Sequence, residues 1–298
     1  LNDRATTLVV GATGLLGGMI ARRLLERGER VSALVREGSD SAALAEAGVE
    51  LVFGDLKEPD TLPQAFDGVS RVVATATASH RGGADTIEAV DRRGMAALID
   101  AAAAADVERF VYVSAWGFDD PDSPVEMERA KAENEARLAA SGMPYTILRP
   151  AAFMEVWLGF VIGSQLQNGP RVKVVGDGSA KQGYVATENV ADLALAALDH
   201  DAATNAKIPL VPEVASIREV VAAIERATGR PIEVEPVAPG EPIPGLPPVV
   251  PALWALLIER GVPTVTDDVH RTYGIRPVTI EAFVERAFGS GAGAPPTH

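Results

Sequence analysis

Val10-Gly11-Ala12-Thr13-Gly14-Leu15-Leu16-Gly17 joins an apolar run at 7–10 to an amphipathic stretch that lasts until Arg27, where Gly28 ends it. The order reads as strand, glycine turn, helix. Gly11 permits the tight turn, Gly14 leaves room for a pyrophosphate against the backbone, and Gly17 lets the helix pack close to the strand. Unpaired N–H groups where the helix begins, at Thr13, Leu15 and Leu16, suit phosphate together with the helix dipole. Three glycines alone are weak evidence. Their place between a strand and a helix, with a second strand at 31–35, gives the motif its weight.

Outward from this turn the pattern repeats. Strands are predicted at 31–35, 50–53, 71–75, 109–114 and 145–148, with the clearest helices at 94–105 and 124–140. Six strands alternating with helices make an α/β fold, a Rossmann-type doubly wound parallel sheet with its ligand at the carboxyl ends of the strands. Residues 1–150 read as this dinucleotide-binding domain. After Pro150 an apolar helix is expected at 151–167 and another at 187–199. The reading gives 151–170 and 201–290 to a smaller C-terminal α+β substrate domain and returns 171–200 to the first domain. The proline-rich stretch 236–251 reads as a loop or lid, and 291–298 as a disordered tail.

Composition removes several function classes. The 298 residues carry 27 Lys and Arg against 41 Asp and Glu, a formal net charge of −14. That field repels phosphate backbones and anionic lipid, so neither a nucleic acid nor a membrane is expected as a partner. There is no Cys, which excludes disulfides and thiolate chemistry. The four His are not spaced as ligands, and no metal is expected. The apolar stretches at 151–163 and 249–258 fall short of the roughly 20 residues a membrane helix needs. With no cationic segment leading into an apolar one, a soluble cytoplasmic protein, monomeric or homodimeric, is the expectation.

The second strand ends in Val35-Arg36, where enzymes selective for NAD often carry an acid. A cation there pairs with the 2′-phosphate of NADP through charge-assisted hydrogen bonds worth about 1.5–3 kcal/mol, so NADPH is expected over NADH. Glu37 follows directly, which predicts incomplete selectivity.

At these residues the chain resembles the atypical short-chain dehydrogenase/reductases, in particular the NmrA-like group with its isoflavone-reductase-like and NAD(P)H:quinone-reductase-like members. The motifs are GATGLLGG at 11–18, LVRE at 34–37, Gly54-Asp55-Leu56, ERFVYVSA at 108–115, a lysine-bearing helix leading to YTILRPAAFME at 145–155, and GDGSAKQGYVATENVADLALAAL at 176–198. The resemblance covers roughly 5–288. It implies that Asp55 and Leu56 flank the adenine and that Ala74, Thr75 and Ala76 line the ribose and diphosphate. Pro150, Ala151 and Phe153 are implied to cover the nicotinamide, with Lys131 on its ribose.

One position departs from the pattern. Relatives with a Tyr-x-x-x-Lys pair place tyrosine one helical turn before the lysine, and here that residue is Met127. A thioether cannot donate a proton. Candidate catalytic groups are then Lys131, directly or through water, Ser114 as a carbonyl polariser, and His80 as a proton shuttle. A substrate that stabilises its own oxyanion is the remaining option. Met127, Met154, Trp157 and Trp254 are expected on the substrate side, where apolar walls suit a flat hydrophobic ligand, although the same spacing also fits a core.

The leading expectation is an oxidoreductase, a ketoreductase or quinone reductase acting on a hydrophobic aromatic, polyketide-like small molecule. The heavy use of Ala, Arg, Gly and Val suits a GC-rich bacterial genome, where such substrates are common. The alternative is a non-catalytic NADP(H)-sensing regulatory protein of the NmrA type. Sugar epimerisation ranks lower, because it relies on the absent tyrosine.

Overall fold

The computed structural model describes residues 6–79 and 82–289. The chain divides into two units, one from 1–149 with 190–208, the other from 150–189 with 209–298.

The first unit is built on a seven-stranded sheet. Its strands are β1 (Thr6–Val10), β2 (Arg30–Val35), β3 (Glu50–Phe53), β4 (Val69–Ala74), β5 (Arg109–Val113), β6 (Tyr145–Pro150) and, further along the chain, β10 (Ala206–Leu210). The order is β10-β6-β5-β4-β1-β2-β3. The chain lays β2 and β3 on one side of β1, then reverses to lay β4, β5 and β6 on the other. This reversal is the switch point at which such sheets bind ligands. The register is parallel throughout the pairs from β3 to β6, with Val10 beside both Leu34 and Ala74, and Ala74 beside Tyr112. The carboxyl ends of these strands therefore form one edge.

Continuous apolar runs form the central strands because both faces are covered. Leu8, Val10, Val72, Phe110 and Ile147 join Met95, Leu98, Ile99 and Ala102 in one core. The last four lie on α3 (Met95–Ala104) at positions i, i+3, i+4 and i+7, the spacing of a single helix face. A π-helical segment, Ile87–Gly94, leads into α3. The first helix, α1 (Leu15–Glu26), buries Ile20, Ala21 and Leu24; a short α2 (Ala42–Glu46) precedes β3. Helix α4 (Glu126–Ala140) is different: its buried face carries Lys131, Asn134 and Glu135 among Met127, Ala130 and Leu138. Polar groups on a buried face need partners, and these have them.

The second unit contains β7 (Ala152–Phe153), β8 (Arg171–Val175), β9 (Lys181–Val185), β11 (Glu213–Ser216) and β12 (Glu233–Val237). β9 pairs with β11 antiparallel and β7 parallel, and β8 pairs with β12 parallel. A second π-helical segment, Glu155–Ile162, runs into α5 (Gly163–Leu166). Helix α6 (Thr187–Asp199) starts in this unit and ends in the first. Helix α7 (Ile217–Thr228) opens with a Ser216–Glu219 capping box and closes on Gly229 at φ 67°. Helices α8 (Val249–Glu259), α9 (Asp267–Tyr273) and α10 (Ile280–Phe288) follow.

Three expectations are corrected here. The stretch 171–189 does not return to the first unit: β8 and β9 find their strand partners inside the second, and only 190–208 returns, held by Arg23–Asp192 at 2.5 Å and Thr146 Oγ1 donating to Ala203 O at 2.7 Å. The expected helix 151–167 begins with a strand, because Ala152 and Phe153 pair with Tyr184 and Val185. The expected loop or lid 236–251 is a loop over 238–248 only: Pro236 lies in β12, Pro251 in the first turn of α8, and Ile243 is buried in the core between them. Proline is tolerated in both places because neither needs its N–H, on an edge strand or in a first turn. The expected tail 291–298 lies outside the described residues.

Candidate functional site

At the end of β1 the chain turns on Gly11, whose φ is 95°; a Cβ there would stand 2.6 Å from Thr75 Oγ1 and 2.8 Å from Ala76 N. Gly14 N donates to Gly11 O at 3.0 Å and Gly18 N to Gly14 O at 2.8 Å. Gly14 is the N-cap of α1 and makes no side-chain cap bond, and the first turn carries no acid. The helix start is thus electropositive and uncapped, which suits a phosphate. Thr75 Oγ1 donates to Val10 O at 3.1 Å, tying the ends of β1 and β4 together.

A pocket opens along this edge. Its lining includes Gly11, Thr13, Arg36, Asp55, Leu56 and Ala76, all expected, together with Lys57, Ser39, Thr77 and Asp85. Lys57 Nζ lies 2.8 Å from Asp55 Oδ2 and 2.6 Å from Asp85 Oδ1, and Arg36 Nη1 lies 2.5 Å from Asp85 Oδ2. Burial pushes the Lys57 ammonium down, but its bonds to Asp55 and Asp85 outweigh that and hold it above its ordinary value. The Lys57 bond, aided by Arg36, holds the Asp85 carboxyl below its ordinary range. Lys57 and Asp85 were not foreseen. Lys57 follows the Gly54-Asp55-Leu56 motif closely enough to have been noticed, whereas nothing in the sequence marks Asp85.

Ala74 is corrected: it is fully buried in the sheet core and not part of the pocket lining. Its side chain packs with Leu8, Val72 and Phe110 in the first unit's core.

Beyond the pocket lies a buried polar chain. Lys131 Nζ donates to Val113 O at 2.9 Å and sits 4.9 Å from the Tyr112 ring centroid. Asn134 Nδ2 donates to Asp91 O at 2.5 Å and to Tyr112 Oη at 3.4 Å, and Ala78 N donates to Asp91 Oδ2 at 2.8 Å. The chain ties the loop after β4 to α4. Burial pushes the Tyr112 phenol up, against the opposing pull of Lys131. Met127 is buried one turn before Lys131 on the same face of α4.

Ser114 extends the β5 ladder, its N–H donating to Leu148 O at 2.8 Å. It stands beside Glu135, whose side chain is 1% exposed and paired with Arg149 at 2.6 Å and Lys207 at 2.9 Å. Burial pushes the Glu135 carboxyl up, and Arg149, Ser114 and Lys207 together bring it below its ordinary value. His80 lies outside the described residues. Pro150, Ala151 and Phe153 belong to the second unit, where Ala151 N donates to Leu210 O at 3.0 Å. Met154, Trp157 and Trp254 are corrected from substrate wall to core. All three are buried in the second unit's core, the two indole rings edge-on at 5.5 Å and 82°. Helical apolar spacing serves packing here.

The family model for NAD(P)H-binding proteins matches residues 11–201. The chain belongs to the NAD(P)H-binding family. The resemblance to NmrA-like short-chain dehydrogenase/reductases agrees with that match. This NAD(P)H-binding chain is 34% identical to an NAD(P)H azoreductase of Xenophilus azovorans over 76% of its own length and 74% of the relative's. It is 34% identical to the photosystem II assembly factor Ycf39 of Trieres chinensis, spanning 59% of that protein from 64% of its own length. Its fold is shared with an NADPH-dependent quinone oxidoreductase of Escherichia coli solved with NADPH, at TM-score 0.78 and 21% identity over 93% of this chain and 98% of the other. The uncapped helix start, and the bare backbone at Gly14, where a Cβ would meet only the Gly11 carbonyl at 3.4 Å, fit the diphosphate of such a cofactor. Among the described residues no group of His, Asp and Glu could hold a metal ion, and no helix is long and apolar enough to cross a membrane.

Proposed function

We propose that the chain is an NADPH-dependent reductase of a hydrophobic aromatic acceptor, a quinone, ketone or azo compound, that does not rely on a tyrosine acid. The observation that carries this reading is Met127, buried where a Tyr-x-x-x-Lys pair would put its phenol, with Lys131 retained one turn on. A reductase with this arrangement needs an acceptor that takes its proton from water or from a neighbouring hydroxyl of its own. Quinones meet that condition. Hydride addition to a quinone leaves a phenolate whose ordinary pKa of about 10 lets water complete the protonation.

When bound, NADPH supplies the hydride, and with it both electrons of the reduction. The glycine turn and the start of α1 would hold its diphosphate. Arg36 and Lys57 would meet the 2′-phosphate, and Asp55 and Leu56 the adenine. Lys131, with one N–H on the Val113 carbonyl and a further bond to the Tyr112 hydroxyl, would turn its remaining N–H to the nicotinamide ribose. The likeness to an azoreductase supports a reductase of flat aromatic acceptors.

A second reading, a dinucleotide-binding protein without turnover, draws on the likeness to a photosystem II assembly factor and on the same Met127. Mixing the purified protein with NADPH and a panel of quinones, aromatic ketones and azo dyes, with Lys131→Ala alongside, separates the two. Loss of nicotinamide absorbance that slows at least tenfold in the variant is the expected result. Tight NADPH binding with no turnover across the panel would overturn the reductase and favour the second reading.

A further inference from the structure

The adenosine side of the pocket holds a charge that cofactor binding does not require. Asp85 places one carboxylate oxygen on each of two cations, Oδ2 at 2.5 Å from Arg36 Nη1 and Oδ1 at 2.6 Å from Lys57 Nζ. Its side chain is only 12% exposed. With Asp55 also on Lys57, two cations already face two carboxylates before any ligand enters. A 2′-phosphate is a dianion that seeks the same guanidinium and ammonium donors. Carboxylate and phosphate drawn to one pair of donors repel each other at close range, so both cannot be seated at full strength.

We propose that Asp85 is a resident competitor for the 2′-phosphate, holding Arg36 and Lys57 in the free protein and setting how far the chain prefers NADPH over NADH. The inference rests on the NADPH reading of this pocket. NADH brings only hydroxyl groups to this corner and leaves the Asp85 bridge intact. NADPH draws at least one cation away from it. Discrimination is then smaller than two unopposed cations would give, and losing the carboxylate raises it.

The local chain permits the exchange. Gly82 and Gly83 precede Asp85, and a Cβ on either would meet nothing within 4 Å, so the segment has open space on that side. On the other side Thr86 is fixed, its Oγ1 accepting from Ala89 N at 3.1 Å at the start of the π-helical segment. Asp85 N donates to Gly82 O at 3.4 Å, a long bond, so the turn that carries Asp85 is lightly held on one side and fixed on the other. Its carboxyl, held below the ordinary range by Lys57 and Arg36, is charged at any working pH.

The test is calorimetric titration of the full chain and of Asp85→Asn and Asp85→Ala with NADPH, NADH, adenosine 2′,5′-bisphosphate and AMP. In both variants NADPH and the bisphosphate are expected to bind about tenfold more tightly, with NADH and AMP changed by less than about twofold. Unchanged or weaker NADPH binding in variants that melt at the wild-type temperature would overturn the proposal and make Asp85 a scaffold for the cations. Equal tightening of NADPH and NADH would overturn it too. If the wild-type chain binds neither dinucleotide, the NADPH reading itself falls, a result distinct from either of these.

Discussion

Gly17 rests on the Gly11 carbonyl: a Cβ at position 17 would stand 2.3 Å from that oxygen and 2.6 Å from its carbon. These are backbone atoms of the turn and cannot rotate aside as a side chain would. Gly17→Ala must therefore push α1 away from the turn that it completes. The expected loss is about 1–3 kcal/mol in urea denaturation, with NADPH binding weakened more than about tenfold in calorimetry as the helix start moves off the phosphate. Wild-type affinity in a folded variant would refute this account of the turn.

Arg36 contributes one of the two cations at the end of β2 and β3. On the NADPH reading proposed above, its removal would take a charge-assisted bond from the 2′-phosphate and nothing from NADH. Arg36→Ala should raise the NADPH dissociation constant roughly tenfold to hundredfold, while NADH binding holds. A parallel loss for both dinucleotides would mean that Arg36 shapes the pocket instead of reading the phosphate.

Acid sensitivity should trace to Glu135, buried between Arg149 and Lys207. Its folded pKa lies below the unfolded value, so its contribution is complete above the ordinary Glu range and fades as pH falls through the folded value. Glu135→Gln leaves Arg149 with Asp119 alone and the half-exposed Lys207 without its carboxylate, and should cost about 1.5–3 kcal/mol at pH 7. Between pH 7 and pH 4 the variant should lose less further stability than the wild type. Parallel pH profiles from urea melts would exclude Glu135 as the source.

Tyr184 presents the opposite case. It is fully buried in the second core, burial pushes its phenol up, and its hydroxyl has no hydrogen-bond partner among the described residues. Tyr184→Phe removes an unsatisfied polar atom and should be neutral or stabilising by up to about 1 kcal/mol. A loss above about 2 kcal/mol in urea denaturation would reveal a bonded hydroxyl.

The central strands were legible because parallel strands covered on both faces read as unbroken apolar runs, and the glycine turn because its spacing answers to backbone geometry. β10 escaped notice. In Ala206–Leu210, Lys207 and Pro209 are exposed and the strand lies at the sheet edge, so its pairing comes from β6 and not from its own pattern. Strands β8 and β9 were not read from the sequence, and their place in the second unit was missed with them, since strand partnership is a long-range property. Met154 and Trp254 carry the same difficulty at the level of function. An apolar residue at helical spacing looks identical in a core and in a ligand wall, and only burial separates them. Asp85 lies 49 positions from Arg36 along the chain, and only the fold brings the two within bonding distance.

The wide π-helical turn at Ile87–Gly94 places Gly94 so close to Leu56 that a Cβ there would be 2.8 Å from the Leu56 Cβ. A π turn holds one residue more than an α turn would. The extra residue is consequently slack stored ahead of α3. Removing one residue from this segment would let the π turn tighten to an α turn, with Met95, Leu98, Ile99 and Ala102 still facing the core. A single deletion inside α3 has no such slack and would turn the residues after it by about 100° about the helix axis. A deletion scan across 87–104 should therefore lose folded yield steeply within α3 and far less within 87–94.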